Sequence, residues 1–291
     1  MHVMSTLHFV AKSLNVEILN ASKPNNHPQL ILGPKRLYTQ NPNSYASRKT
    51  HRNTKRGFVL PKVEAVILDL DGTLLDIDQR ELHSINKALS AIGKPVLSVQ
   101  SFIKEYYSRP YEQVGTRALL TKVIGDEAIA QHATKIYRHE FWRTMHLNKR
   151  HEGVMEVMRT LKDKKVPVAV ATLRARRALV EQEIQRFHID DFVAFLVTRE
   201  DVEDPSGLPP SLSVVTEARR QQFQKTLTLL KSEPSNTLIV GDAWWDIRAA
   251  KQIQARIVWV KTGFGAHYDF SQEKPDITIM NLMELLTHIQ I

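Results

Sequence analysis

Six short apolar runs mark the chain beyond residue 60: Val63–Leu68, Val166–Ala171, Phe192–Val197, Thr237–Val240, Arg256–Val260 and a weaker one at Asp276–Met280. They are near-continuous rather than alternating, and rich in β-branched residues. That is the pattern of strands buried on both faces, as in a parallel sheet. Helical periods lie between them. Gly153–Lys162 sets Val154, Val157, Met158 and Leu161 on one face, Ala178–Phe187 does the same with Leu179, Ile184 and Phe187, and Phe223–Leu230 carries Leu227 and Leu230. Strand and helix alternating at this pitch predict an α/β fold, a doubly wound, Rossmann-like parallel sheet.

One interval breaks the alternation. From about Asp78 to Arg150 the pattern is helical with no convincing strand. Asp78-x-x-Glu81 resembles a capping box, Leu82, Ile85, Leu89 and Ile92 form a stripe, and Gly93 and Pro95 stop the helix; Asp126–His146 predicts another long one. The expected layout is therefore an N-terminal extension over residues 1–60, an α/β core over 61–77 and 151–291, and an inserted α-helical cap domain over 78–150.

Composition changes this picture mainly at the N-terminus. Residues 1–60 hold nine Lys and Arg against the single acid Glu17, and so carry +8 of the net +9 of the 291-residue chain. The segment is rich in Asn, Ser, Pro and His and has no sustained apolar period after about residue 19, so it cannot bury enough surface to offset chain entropy. A basic, acid-poor, Ser-containing leader of this kind, with Arg36-Leu37-Tyr38 as a cleavage-like context, suits import into mitochondria or plastids. A plain solvated extension on a soluble, cytoplasmic protein and a nucleic-acid-binding arm are the other readings. The absence of cysteine removes disulfides, thiolate metal sites and cysteine nucleophiles. The sequence contains no apolar stretch of the roughly 18 residues that a membrane span requires.

Candidate chemistry clusters at strand ends. Asp69-Leu70-Asp71-Gly72-Thr73 follows the first run, and alternation along an extended chain lets Asp69 and Asp71 point into one space. Two close carboxylates call for a cation or a shared proton, and Mg²⁺ is the usual hard divalent ion beside phosphate. Gly72 allows a sharp turn, while the Thr73 hydroxyl and nearby N–H groups can receive an anion. Val168–Ala171 ends at the hydroxyl of Thr172, and Leu238-Ile239-Val240 runs into Gly241-Asp242 with Asp246 four residues on. Ligands of open α/β sheets bind outside the carboxyl ends of the strands, so Asp69, Asp71, Thr172, Asp242 and Asp246 are expected in one crevice. Arg174 is expected on the surface, Trp244 and Trp245 in packing, and Tyr106, Tyr107, Arg109 and Arg117 are candidate substrate contacts from the insert.

These motifs resemble the haloacid-dehalogenase-like hydrolases, in particular the phosphoglycolate-phosphatase-like branch with a helical cap after the first strand, over residues 62–291. The resemblance implies that Asp69 attacks phosphorus to form an aspartyl-phosphate and that Asp71 serves as acid and then base. It implies that Thr172 holds the phosphoryl oxygens. Mg²⁺ would be bound by Asp69, Asp242 and the Asp71 carbonyl, with Asp246 in support. Asp71 also separates phosphoryl transfer from dehalogenation, because dehalogenating relatives lack it. One element is missing. The family carries a lysine, usually before proline, some two dozen residues ahead of its Gly-Asp pair, and here that count lands on Glu217. Arg219 or Arg220 can supply the charge with a small shift, and an arginine fork suits phosphate. The expected protein is thus a Mg²⁺-dependent phosphatase of a small phosphorylated metabolite, with no nucleic-acid or membrane partner. A phosphomutase, or a phosphate-binding or regulatory protein that lost turnover with its lysine, are the alternatives. The sequence does not speak to oligomeric state.

Overall fold

The computed structural model describes residues 62–107, 115–202 and 212–290. The N-terminal extension, Arg109 and residues 203–211 lie outside the described residues. The elements run β1 (Ala65–Leu68), β2 (Leu75–Asp76), α1 (Asp78–Ala91), α2 (Val99–Tyr107), α3 (Thr116–Ile124), α4 (Glu127–Arg143), β3 (Lys149–Arg150) and α5 (Val154–Asp163). There follow β4 (Val168–Ala171), α6 (Arg177–Arg186), β5 (Val193–Val197), α7 (Leu212–Leu230), β6 (Thr237–Gly241), α8 (Trp244–Gln252), β7 (Arg256–Val260), α9 (Gly263–His267), β8 (Ile277–Ile279) and α10 (Leu285–His288).

All six apolar runs are strands of one parallel sheet, in the order β5-β4-β1-β6-β7-β8. The chain winds outward from β1 through β4 to β5, then crosses back to β6 and winds the other way. Strand periodicity divides the core in two. Val66, Leu68, Val168, Val170, Leu238 and Val240 face one side, with α5 and α6 packed over them. Ile67, Ala171, Ile239, Ile257 and Trp259 face the other, against α7 and α8. With every β1 residue fully buried, both faces must be apolar, which is why the run does not alternate.

The helices α1 to α4 lie between β2 and β3, whose antiparallel pairs Leu75–Arg150 and Asp76–Lys149 staple the two ends of the insert together. Their apolar faces form a hydrophobic cluster of their own, built on Ile85, Leu89, Phe102, Leu119 and Tyr137. The expected capping box is not formed. Ile77 is the N-cap of α1, the Asp76 carboxylate accepts from the Asp78 N–H at 3.0 Å, and Glu81 turns inward to the hydroxyl of Tyr137. Asp126 does cap α4, accepting from the Ile129 N–H at 2.9 Å. No helix among the described residues is long and apolar enough to cross a membrane.

Candidate active site

The site grows from the carboxyl ends of β1, β4 and β6, beside the point where the winding reverses. Asp69 leaves β1 with its N–H bound to the Val240 carbonyl at 3.0 Å, and its side chain sits beside those of Asp242 and Asp246. One oxygen from each of these three buried carboxylates lies within 4.8 Å of the others. Burial, with Asp246 and Asp71 adding to it against Arg219, pushes the Asp69 carboxyl up to about 8. Burial and the same kind of crowding hold Asp242 well above the ordinary carboxylate range.

The backbone accommodates this crowding at two glycines. Gly72 has φ 81°, and a Cβ there would overlap the Asp242 carboxylate; a Cβ on Gly263 would strike the same group. The two loops are tied where the Thr262 hydroxyl donates to the Gly72 carbonyl at 2.5 Å. Asp242 is aimed by two donors, the Phe264 N–H at 2.8 Å and the Thr73 hydroxyl at 3.2 Å. Thr73, expected at the substrate anion, thus spends its hydroxyl on Asp242 and does not line the cavity. Asp246 does two jobs at once. Its Oδ2 accepts from the Ala243 N–H at 3.2 Å at the start of α8, and its Oδ1 accepts from Arg219.

Arg219 lies where a cation was expected. Its side chain is fully buried, with Nε 2.6 Å from Asp246 Oδ1, Nη2 paired with Asp69 Oδ1, and Nη1 bound to the Ala171 carbonyl at 2.6 Å and to Gln222 Oε1 at 3.0 Å. Burial works against its charge, and Asp246 and Asp69 more than offset that, so its affinity for the proton is raised. Arg220 lies outside the site, half-exposed, gripping Glu217 from the adjacent position on α7. Helix geometry explains the difference: neighbouring residues point about 100° apart, so only one of the two can face the sheet.

Thr172 is buried and lines the cavity; its hydroxyl accepts from the Arg174 N–H at 3.2 Å. The side chain of Asp71 stands apart from the carboxylate trio, held bidentately by Arg174 through Nε at 2.6 Å and through Nη2. Arg174 is therefore not the surface residue the sequence led us to expect; it is 6% exposed and paired with Asp71 and Glu183.

A cavity of about 310 Å³ opens onto Asp69, Asp71, Thr172 and Asp242. Its other wall is largely apolar, with Ile77, Tyr106, Tyr107, Leu173, Trp245 and Phe264. Tyr106 and Tyr107 reach it from the insert, stacked on or edge-on to Phe264 of α9. Trp244 packs into the core against Phe270, while Trp245 lines the cavity. Arg117 does not; it pairs with Glu127 at the surface of the insert.

Glu81, on the cavity wall, accepts from the Tyr137 hydroxyl at 2.9 and 3.0 Å, and burial raises its pKa from 4.5 to about 7. The folded state thus holds this proton more tightly than the unfolded chain. Its contribution to stability is complete below about pH 4.5 and is lost as pH rises to about 7. Glu81→Gln is expected to match the wild type in stability near pH 4 and exceed it by about 3 kcal/mol at pH 8. Denaturant melts at the two pH values check this, and an equal difference at both would show that Glu81 is not the group responsible.

Buried carboxylates that call for a cation or a proton, gathered where an α/β sheet opens to a cavity, suit an enzyme that handles anionic groups. The chain belongs to the haloacid dehalogenase-like hydrolase family, which it matches over residues 66–260. Pyrophosphatase PpaX of Bacillus mycoides is 26% identical to it, over 77% of this chain and 96% of the relative. Phosphoglycolate phosphatase of Nitrosospira multiformis is 25% identical, over 80% of this chain and 98% of the relative. Among solved structures, a haloacid dehalogenase-like family hydrolase from Streptococcus pneumoniae shares the fold with a TM-score of 0.62 at 16% identity, covering 77% of this chain and 97% of that one.

Proposed function

We propose that the chain is a Mg²⁺-dependent phosphoric monoester hydrolase that acts on a small phosphorylated metabolite through a phosphorylated Asp69. The observation that carries this reading is the buried Arg219 guanidinium, which spans Asp69 and Asp246 behind the cavity wall and sets a cation against the proposed nucleophile. The two named relatives are called after pyrophosphate and phosphoglycolate, both small phosphorylated molecules. The donor set fits magnesium: three buried carboxylates crowded together, with burial and mutual repulsion disfavouring charge on Asp69 and Asp242 until a cation is bound. Asp69, Asp242 and Asp246 would hold the ion. When bound it supplies charge neutralisation for the phosphoryl oxygens.

The chain's own groups do the rest. A carboxylate oxygen of Asp69 attacks phosphorus, and the bond to the leaving oxygen breaks with its electron pair going to that oxygen. Arg219 orients Asp69 and offers positive charge beside the transferring group, while the Thr172 hydroxyl lies at its edge. Asp71 delivers a proton to the leaving oxygen. In the second half it takes one from the water that attacks phosphorus, the bond from phosphorus to the Asp69 oxygen breaks with its electron pair returning to the carboxylate, and acid and base roles balance over the cycle. The aromatic wall keeps bulk water from the reacting centre.

Phosphate release from an aryl phosphate is expected to stop when the protein is treated with a chelator and to return with added Mg²⁺. A well-folded protein that binds Mg²⁺ and a phosphate mimic, yet releases no phosphate from a panel of metabolite phosphates, would overturn this reading in favour of a phosphate-binding protein.

A further inference from the structure

Asp71 lines the cavity, while Arg174, which holds it, does not. We infer that Arg174 is a positioning residue for the proton-transferring Asp71, fixing the plane of its carboxylate from behind the cavity wall; this rests on the phosphatase reading above. The geometry is a fork on a fork. Nε donates to Asp71 Oδ2 at 2.6 Å and Nη2 to Oδ1, so rotation of the carboxylate breaks one bond or both. A carboxylate offers about four lone-pair sites, and the fork uses one on each oxygen. The remaining sites stay available for the reacting oxygen.

Arg174 is itself held at both ends. Its N–H donates to the Thr172 hydroxyl at 3.2 Å, and its carbonyl accepts from the Arg199 N–H at 3.0 Å. At the far end, Nη1 pairs with Glu183 of α6, whose other oxygen accepts from Asn148 Nδ2 at 2.5 Å. Arg80 of α1, fully buried, stands 3.7 Å from the same Glu183 oxygen that Arg174 uses. Stability alone does not account for the arrangement, because buried ion pairs roughly break even against apolar packing of the same volume. The pair is also asymmetric. Arg174 is 4% exposed in its side chain and Asp71 25%, so the buried partner anchors the one that faces substrate.

The test compares kcat and KM for wild type, Arg174→Lys and Arg174→Met on p-nitrophenyl phosphate and phenyl phosphate. The two carry the same phosphoryl group, but phenolate is the poorer leaving group and depends more on a delivered proton. Lysine keeps the charge and loses the fork, and Arg80 remains beside Glu183 in either variant. With general acid–base catalysis worth about 10²–10⁴-fold, Arg174→Lys is expected to lower kcat for phenyl phosphate about tenfold more than for the nitrophenyl ester, with KM within about twofold of wild type for both. Arg174→Met should widen that gap, and melting curves check that each variant folds. Equal losses on both esters, or a raised KM with unchanged kcat, would overturn the inference while leaving the phosphatase reading intact. Wild type inactive on both esters and on the panel of metabolite phosphates would remove the phosphatase reading and this inference with it.

Discussion

Asp69→Asn is expected to abolish phosphate release, by about 10⁴-fold or more, while leaving the protein folded and no less heat-stable than wild type. An amide nitrogen or carbonyl at that position is a far weaker nucleophile than a carboxylate, so covalent transfer cannot begin. The stability half follows from the same surroundings. Burial and the neighbouring Asp246 and Asp71 raise the Asp69 carboxyl to about 8 in spite of Arg219, so at neutral pH the folded state must either take up a proton there or hold a charge that burial disfavours, and both cost stability. Asparagine removes that charge at almost the same volume. Arg219 keeps Asp246, the Ala171 carbonyl and Gln222. Active sites commonly gain stability when a crowded charge is removed. Initial-rate assays and thermal melts on metal-free protein check both halves. Residual activity above about 1% of wild type would exclude Asp69 as the nucleophile.

Much of the fold was legible because burial on both faces writes itself into composition. Val63–Leu68 and Thr237–Val240 contain few polar residues because no face of β1 or β6 meets water. The helical interval showed through for the opposite reason, since residues at a 3.6 period leave a polar face outside. The carboxylates were legible through their places after strands. The failures have one physical source: single-chain spacing does not say which way a side chain turns. Asp78-x-x-Glu81 has capping spacing, yet Glu81 finds Tyr137 on a helix 56 positions away. Thr73 has an anion-binding hydroxyl, and Asp242 takes it across 169 positions. Arg174 looked like a surface cation because its partners, Asp71 and Glu183, lie on separate elements. Position 219 is the reverse case. An arginine near a missing lysine is weak evidence until helix α7 shows that Arg219 and not Arg220 faces the sheet.

The Arg219 series tests how far a fork can stand in for an ammonium group. Arg219→Met leaves Asp69, Asp242 and Asp246 buried together without their resident cation. Removing one side of a buried charge cluster costs about 3–5 kcal/mol, and at about 2–4 °C per kcal/mol the melting temperature should fall by roughly 10 °C. Mg²⁺ is then expected to raise the melting temperature of Arg219→Met more than that of wild type, because the ion and the guanidinium neutralise the same carboxylates. Activity should fall by about 10³-fold, since nucleophile orientation and charge beside the phosphoryl group are lost together. Arg219→Lys is the sharper comparison. The guanidinium serves four acceptors: Asp69, Asp246, the Ala171 carbonyl and Gln222. An ammonium has three N–H groups and no fixed plane, so it can hold Asp69 only by releasing part of that set. Arg219→Lys should therefore keep most of the stability and lose about tenfold in kcat/KM, far less than methionine. Melts with and without Mg²⁺, together with kcat/KM for both variants, decide the matter. If methionine and lysine lose activity equally while both remain folded, positive charge at position 219 is not what the reaction uses, and the site must find its phosphate-facing cation elsewhere.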